Sequence, residues 1–240
     1  MSKIRISAVS YTNTLPFLQG IKASAALIEQ IDLSVDYPSE CARKVLADEA
    51  DMGIIPIAAL ASLEDYQLIG DYCIGSDGAV DSVFIFSEKP IHAIKSLRLD
   101  PESRTSNGLA RILLKHFWKV DVDVVTEGEA DAYVLIGDRT FGKKGTVPYA
   151  YDLGQYWKEM TGLPFAYAVW AAKKPLPAAF VEAFNTALAE GVSQPEKVIP
   201  GLPIYADFDY KKYFTVHLDY HLTAEKREAI ARYLTLYKAL

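Results

Sequence analysis

The sequence predicts an α/β protein of two lobes, each a mainly parallel sheet with flanking helices, with a cleft between them. Three observations predict it. Strand-like and helix-like segments alternate along the chain, as they do in sheets built from βαβ units. The alternation restarts near residue 96. Two long apolar segments, 79–87 and 165–171, flank the restarted stretch and can carry the chain from one lobe to the other and back. Lobe 1 is accordingly predicted over 1–86 plus 172–240, and lobe 2 over 87–171.

Each element follows from its local pattern. Apolar residues alternate from Ile4 to Val9, which reads as a first strand. Leu15-Pro16-Phe17-Leu18 opens a helix with Pro in its first turn. Leu33 to Tyr37 reads as a strand, Pro38 to about Ala50 as a helix, and Asp51 to Ile57 as a buried strand ending at Pro56. A short helix over Leu60 to Leu63 and a short strand over Tyr66 to Gly70 follow, then a turn at Gly75-Ser76-Asp77-Gly78. Beyond the first crossing come a strand over Ser96 to Leu99 and a helix over Ser103 to Trp118, in which Leu109, Leu113 and Phe117 recur every four residues. Val120 to Val125 and Ala130 to Asp138 read as strands, and Asp152 is placed as the N-cap of a helix reaching Met160. After the second crossing the chain is helical. Phe180, Phe184 and Leu188 form one apolar face; Ile230, Tyr233, Leu234 and Tyr237 form another, behind Thr223 as N-cap.

Composition narrows the function. The chain has 240 residues, 50% of them hydrophobic, and a formal net charge of −6. With no stripe of Lys and Arg to offset that charge, nucleic acid is not an expected partner. Long-range steering of an anionic ligand is disfavoured as well, so any bound anion has to be held by local donors. No apolar run approaches the ~20 residues of a membrane span. The first strand begins at Lys3 or Ile4, which leaves no room for a secretory signal, and the predicted compartment is the cytoplasm. Cys41 and Cys73 lack metal-ligand spacing and read as reduced core thiols. Nothing in the sequence speaks to oligomeric state.

Two polar loops stand where an anion could bind. Ser10-Tyr11-Thr12-Asn13-Thr14 joins the first strand to the first helix. Asp100-Pro101-Glu102-Ser103-Arg104-Thr105-Ser106-Asn107 opens the helix after the short strand at 96–99. A helix start presents unpaired N–H groups and partial positive charge, which suits a carboxylate or phosphate. Ser and Thr also cap helices, and capping alone accounts for one of these hydroxyls. Ligands of open α/β sheets bind at the carboxyl ends of strands, so two such loops suggest two units facing one ligand. Arg104 is an anion clamp or, the favoured reading, a structural partner of Asp100 or Glu102. Among the four histidines, His217 and His221 are four apart and would share a helix face, but no third metal ligand is suggested. No nucleophile elbow, P-loop or dinucleotide fingerprint is present, and neither metal nor organic cofactor is expected.

The ordered set of motifs resembles the chorismate dehydratases of the futalosine route to menaquinone. It runs through Ser10-Tyr11-Thr12-Asn13-Thr14-Leu15-Pro16-Phe17, Asp51-Met52-Gly53-Ile54-Ile55-Pro56 and Gly75-Ser76-Asp77-Gly78-Ala79-Val80-Asp81-Ser82-Val83. Ser103-Arg104-Thr105-Ser106, the most specific motif, comes next, then Ala130-Asp131-Ala132 with Leu135-Ile136-Gly137-Asp138. Tyr151-Asp152-Leu153-Gly154, Trp157, Thr161-Gly162-Leu163-Pro164-Phe165 and Ala168-Val169-Trp170-Ala171 complete the series. Asn107 and Gly108 depart from the small apolar residues usual after the Ser-Arg-Thr-Ser motif. The resemblance implies a periplasmic-binding-protein type 2-like fold and the loss of water from chorismate, a dicarboxylate, to give 3-[(1-carboxyvinyl)oxy]benzoate. It also implies that a carboxylate of the substrate takes the proton. On that reading Asn13 orients the reacting part of the substrate. Ser10, Tyr11, Ser82, Ser103, Arg104, Thr105 and Ser106 bind it, and Gly137 and Asp138 close the opposite wall. Asn13, Ser82 and Asp138 each have a plainer reading: a helix cap, a satisfied core hydroxyl and a turn cap. A small-anion binding protein of the same fold is one alternative function. The 1,4-dihydroxy-6-naphthoate synthase that shares the fold is another, disfavoured because its first loop resembles Ser-Pro-Cys-Pro-Asn-Asp and it relies on a histidine.

Overall fold

The computed structural model describes residues 3–63 and 65–240; residues 1 and 2, which open the predicted first lobe, and residue 64 lie outside the described residues. In chain order the strands are β1 (Ile4–Val9), β2 (Ile31–Asp36), β3 (Met52–Pro56), β4 (Gln67–Ser76), β5 (Val83–Ser87), β6 (Ser96–Arg98), β7 (Asp123–Val125), β8 (Ala132–Ile136), β9 (Tyr149–Asp152) and β10 (Phe165–Ala172). The helices are α1 (Leu15–Ala23), α2 (Ala25–Ile28), α3 (Pro38–Leu46), α4 (Arg104–Leu113), α5 (Leu153–Thr161), α6 (Ala178–Val192), α7 (Tyr210–Lys212) and α8 (Ala224–Lys238). Two five-stranded sheets result, ordered β2-β1-β3-β10-β4 and β7-β6-β8-β5-β9.

The sheets are mixed, not mainly parallel as predicted. β1 runs parallel to β2 and β3, but β10 lies antiparallel between β3 and β4. In the second sheet β6 is parallel to β7 and β8, while β5 is antiparallel to β8 and β9. The reversed strands in the middle of the sheets are those that arrive from the other lobe. An alternating pattern of strand and helix carries no mark of the direction from which a strand enters. The same two strands move the crossings. β5 lies wholly in the second sheet and β10 wholly in the first, so the chain changes lobe over 77–82 and 162–164. The sequence had placed these points at 86/87 and 171/172.

Local signals hold at the helix starts. Ser103 caps α4 by accepting from the Ser106 N–H, Asp152 caps α5 by accepting from Gly154 and Gln155, and Thr223 caps α8 by accepting from Lys226. The predicted helix 103–118 divides into α4 and one π turn, Leu114–Trp118. β4 is longer than its apolar core suggested and runs through Gly75 and Ser76, so the predicted turn begins at Asp77. β9 had no clear signal. His217 ends a π turn, Tyr213–His217, whereas His221 bridges to Tyr72, so the two do not share a helix face.

The departure at Asn107 and Gly108 has a local cause. Asn107 accepts from the Asp100 N–H at 2.9 Å and donates to the Asp100 carbonyl at 2.7 Å, bracing the loop before α4. A Cβ at Gly108 would lie 2.4 Å from Tyr233 Oη and 2.6 Å from the Tyr237 ring. Glycine therefore lets α8 pack directly on the start of α4, where Tyr233 Oη donates to the Thr105 carbonyl at 3.0 Å. Cys41 and Cys73 are free and buried, and burial pushes their thiols up to about 11 and about 12. Both stay protonated and unreactive near neutrality. Among the described residues no helix is long and apolar enough to cross a membrane.

Candidate active site

A cavity lies between the lobes, beyond the carboxyl ends of β1 and β3, and holds about 580 Å³ of empty space counted out to its mouth. Lobe 1 contributes Val9, Tyr11, Asn13 and Thr14 from the end of β1 and the turn after it, and Tyr167 and Ala168 from β10. The crossing supplies Val80 and Ser82, and lobe 2 supplies Val83, Ser103, Thr105, Ser106, Ile136 and Gly137. The predicted residues Tyr11, Asn13, Ser82, Ser103, Thr105, Ser106 and Gly137 are thus brought together.

Ser10, Arg104 and Asp138 are not. The Ser10 side chain is exposed, and its N–H bonds to the Asp36 carbonyl, continuing the β1–β2 pairing away from the cavity. Arg104 is the first residue of α4, and its side chain leaves on the outer side of the helix, toward a surface depression shared with Arg43, Leu46 and Glu102. It does not make the predicted pair with Asp100 or Glu102. Arg139 makes it instead, at 2.8 Å to Asp100 and 3.3 Å to Glu102. Asp138 stands behind the wall. It accepts from the Thr12 N–H at 3.1 Å and the Thr12 hydroxyl at 2.9 Å, tying the lobes together. Burial raises its carboxyl above the usual range, against those two donors.

The hydroxyls of the cavity have a common polarity. Ser103 Oγ is consumed by capping: it accepts from the Ser106 N–H at 3.1 Å and gives its proton to Ser106 Oγ at 2.9 Å. Thr105 Oγ1 accepts from the Ala58 N–H of lobe 1 at 3.2 Å. Ser82 Oγ accepts from Tyr213 Oη at 2.9 Å. Ser82, Thr105 and Ser106 each therefore have a lone pair filled by a protein donor and keep their own proton to give. Asn13 follows the same logic. Its amide oxygen receives the Thr14 hydroxyl at 3.0 Å, which leaves the NH₂ as the group it can offer. Among the described residues, no Asp, Glu, His, Lys or Arg lines the cavity. The arrangement can hold an anion through neutral donors and the N-terminus of α4, and among the described residues it brings no carboxylate or imidazole of its own.

Supporting contacts fix these groups. Tyr11 donates its hydroxyl to Glu102 across the cleft, and burial with that carboxylate raises the phenol well above its usual range. Its ring lies against Gly137, where φ is +62° and a Cβ would sit 3.3 Å from the ring. Any larger residue there would meet both backbone strain and the ring. Asp152, 7% exposed, accepts the N–H groups of Val80 (3.1 Å) and Asp81 (2.7 Å) as well as those of α5, which holds the crossing and with it Ser82. Desolvation pushes its carboxyl up to about 6 despite those donors. Sequence reasoning missed Tyr213, Tyr220 and Arg139. Tyr220 Oη donates to the Asn13 carbonyl at 2.9 Å. The tyrosines come from the far end of the chain in a segment without motif or periodicity; Arg139 adjoined Gly137-Asp138 and could have been weighed with them.

A family model described as menaquinone biosynthesis matches residues 4–239. The chain belongs to the menaquinone biosynthesis family. Within that family it is 27% identical over 187 residues to the chorismate dehydratase of Thermus thermophilus, covering 67% of this chain and 69% of that protein. It is 29% identical over 147 residues to the chorismate dehydratase of Campylobacter jejuni, covering 59% and 58%. A solved Archaeoglobus fulgidus protein shares the fold with a TM-score of 0.75 at 17% identity, over 99% of this chain and 97% of that one. The periplasmic aliphatic sulphonate binding protein of Escherichia coli has a TM-score of 0.64 at 17% identity, over 100% and 92%. The fold of this menaquinone biosynthesis family member is therefore that of the periplasmic binding proteins, as the motif resemblance implied.

Proposed function

We propose that the chain is a chorismate dehydratase, a carbon–oxygen lyase that converts chorismate to 3-[(1-carboxyvinyl)oxy]benzoate and water, acting in the cytoplasm on the futalosine route to menaquinone. The observation that carries the reading is the common polarity of the cavity: Ser82 and, at a helix start, Thr105 and Ser106 are all turned to donate, and among the described residues no carboxylate, imidazole, ammonium or guanidinium lines the wall. Two named chorismate dehydratases among its relatives point the same way.

Chorismate carries two carboxylates and a ring hydroxyl. In the elimination a ring C–H bond breaks and its electron pair becomes a new ring double bond. The neighbouring hydroxyl leaves with its own bonding pair and departs as water once protonated. Aromatisation drives the step, so the work left to the protein is positioning and electrostatic stabilisation. Thr105, Ser106 and the α4 N-terminus hold a carboxylate, and the Asn13 NH₂ and Ser82 hydroxyl face the reacting ring. The proton goes to a carboxylate of the substrate, because the wall offers no base. The reading calls on no cofactor.

The direct test is to incubate the purified chain with chorismate and EDTA and follow appearance of the aromatic product. Product formed at an undiminished rate in EDTA is expected. Tight binding with no product would make the chain a binding protein, and rescue by added metal would end the cofactor-free reading. Changing Thr105 and Ser106 together to Ala is expected to weaken substrate binding by about 1–3 kcal/mol, the range for lost hydrogen bonds to a charged group. Unchanged affinity in a folded double variant would reduce that turn to a helix cap.

A further inference from the structure

We infer that Tyr213 is a positioning residue of this site: its hydroxyl sets the proton of Ser82 toward the cavity. The inference rests on the dehydratase reading for its activity readout, but the hydrogen bond it describes does not. Tyr213 is fully buried and opens the π turn 213–217, with its N–H on the Asp209 carbonyl and its carbonyl taking the Leu218 N–H at 2.9 Å. Its ring is wedged among Phe141, Phe208 and Phe214, with centroids 5.4, 5.3 and 5.6 Å away. The ring cannot swing, so its hydroxyl has one place to be. That place is 2.9 Å from Ser82 Oγ. Burial raises this phenol far above its usual range, so it stays a donor across the working pH.

The consequence is directional. A serine hydroxyl both donates and accepts, and an isolated Ser82 could turn its lone pairs toward the ligand. With a lone pair filled by Tyr213, it presents a proton to the leaving hydroxyl or a carboxylate. A second tyrosine of the same C-terminal segment, Tyr220, holds the Asn13 backbone. The segment from 210 to 222 thus acts on both polar groups assigned to the reacting ring without itself lining the cavity.

The test is a double-mutant cycle on chorismate turnover with Y213F and S82A. Y213F keeps the ring and removes the hydroxyl. It is expected to lower kcat about tenfold, as one of several preorganised donors loses its aim, with KM within about threefold and Tm lowered by no more than about 4 °C. In the S82A background the same change should cost less than about threefold, because there is no Ser82 proton left to direct. An equal loss in both backgrounds, or a fall in Tm with kcat intact, would make Tyr213 a packing residue and overturn the inference. The bond is also read without turnover, in the ¹³Cζ-tyrosine NMR spectrum. The Tyr213 resonance, assigned by its absence in Y213F, should shift in S82A; an unmoved resonance overturns the bond. A wild-type chain that makes no product from chorismate brings down the dehydratase reading and leaves this spectral result standing.

Discussion

Asn13→Leu is expected to cut kcat by about a hundredfold or more, the range for removing one preorganised donor to a developing charge. Leucine keeps roughly the volume of the amide, so the turn 12–14 and its Tyr220 contact on the Asn13 carbonyl should persist. With the amide oxygen held by Thr14, what the substitution removes from the cavity is the NH₂ group. If that group acts mainly as the hydroxyl leaves, binding should weaken far less than turnover. Steady-state kinetics beside a direct binding measurement separate the two. A variant with full kcat and a raised KM would show that Asn13 only holds the ground state.

Asp152→Ala is expected to be the most destabilising change around the site, by about 3 kcal/mol or more, since it strips the acceptor from buried N–H groups on two segments at once. Denaturant titration measures it; a loss under 1 kcal/mol would mean that water or a neighbour takes over those donors. Activity should fall with it, because the crossing that carries Ser82 is released. Asp152→Asn isolates the charge. The native carboxyl titrates at about 6, above the usual carboxylate value near 4. Between those pH values the native protein holds a proton that the unfolded chain has released. This group's contribution is therefore full below about pH 4 and is lost as pH rises through 6. The stability of wild type minus that of Asp152→Asn should fall across pH 4–6 and then level. A flat difference would mean that the N–H donors fully offset the burial.

How much of this was legible depended on whether the cause was local. β1, β3 and β10 followed from short-range apolar patterns, and the caps Ser103, Asp152 and Thr223 from residue type at a helix start. The hydroxyls of 103–106 and Asn13 were found because both loops open helices. Strand direction in β5 and β10 depends on where the chain has been, and no local pattern records that. Ser10 and Arg104 failed for a related reason: one-residue steps in a loop or helix turn a side chain to the other face, and a motif names neighbours without regard to facing. Tyr213 meets Ser82 across 131 positions of sequence. Only the packing of the C-terminal segment brings them together.

One bond in the cavity ties chemistry to motion. The Ala58 N–H that fills a lone pair of Thr105 comes from the opposite lobe. If the lobes part, that N–H is withdrawn, and so are the Tyr11–Glu102 and Thr12–Asp138 links beside it. Thr105 then recovers an accepting face and ceases to be committed to anions. On the proposed reading, grip on the charged ligand is then strongest with the clamshell shut. Opening it loosens the hold on a product that carries the same two carboxylates as the substrate, so release needs no separate trigger.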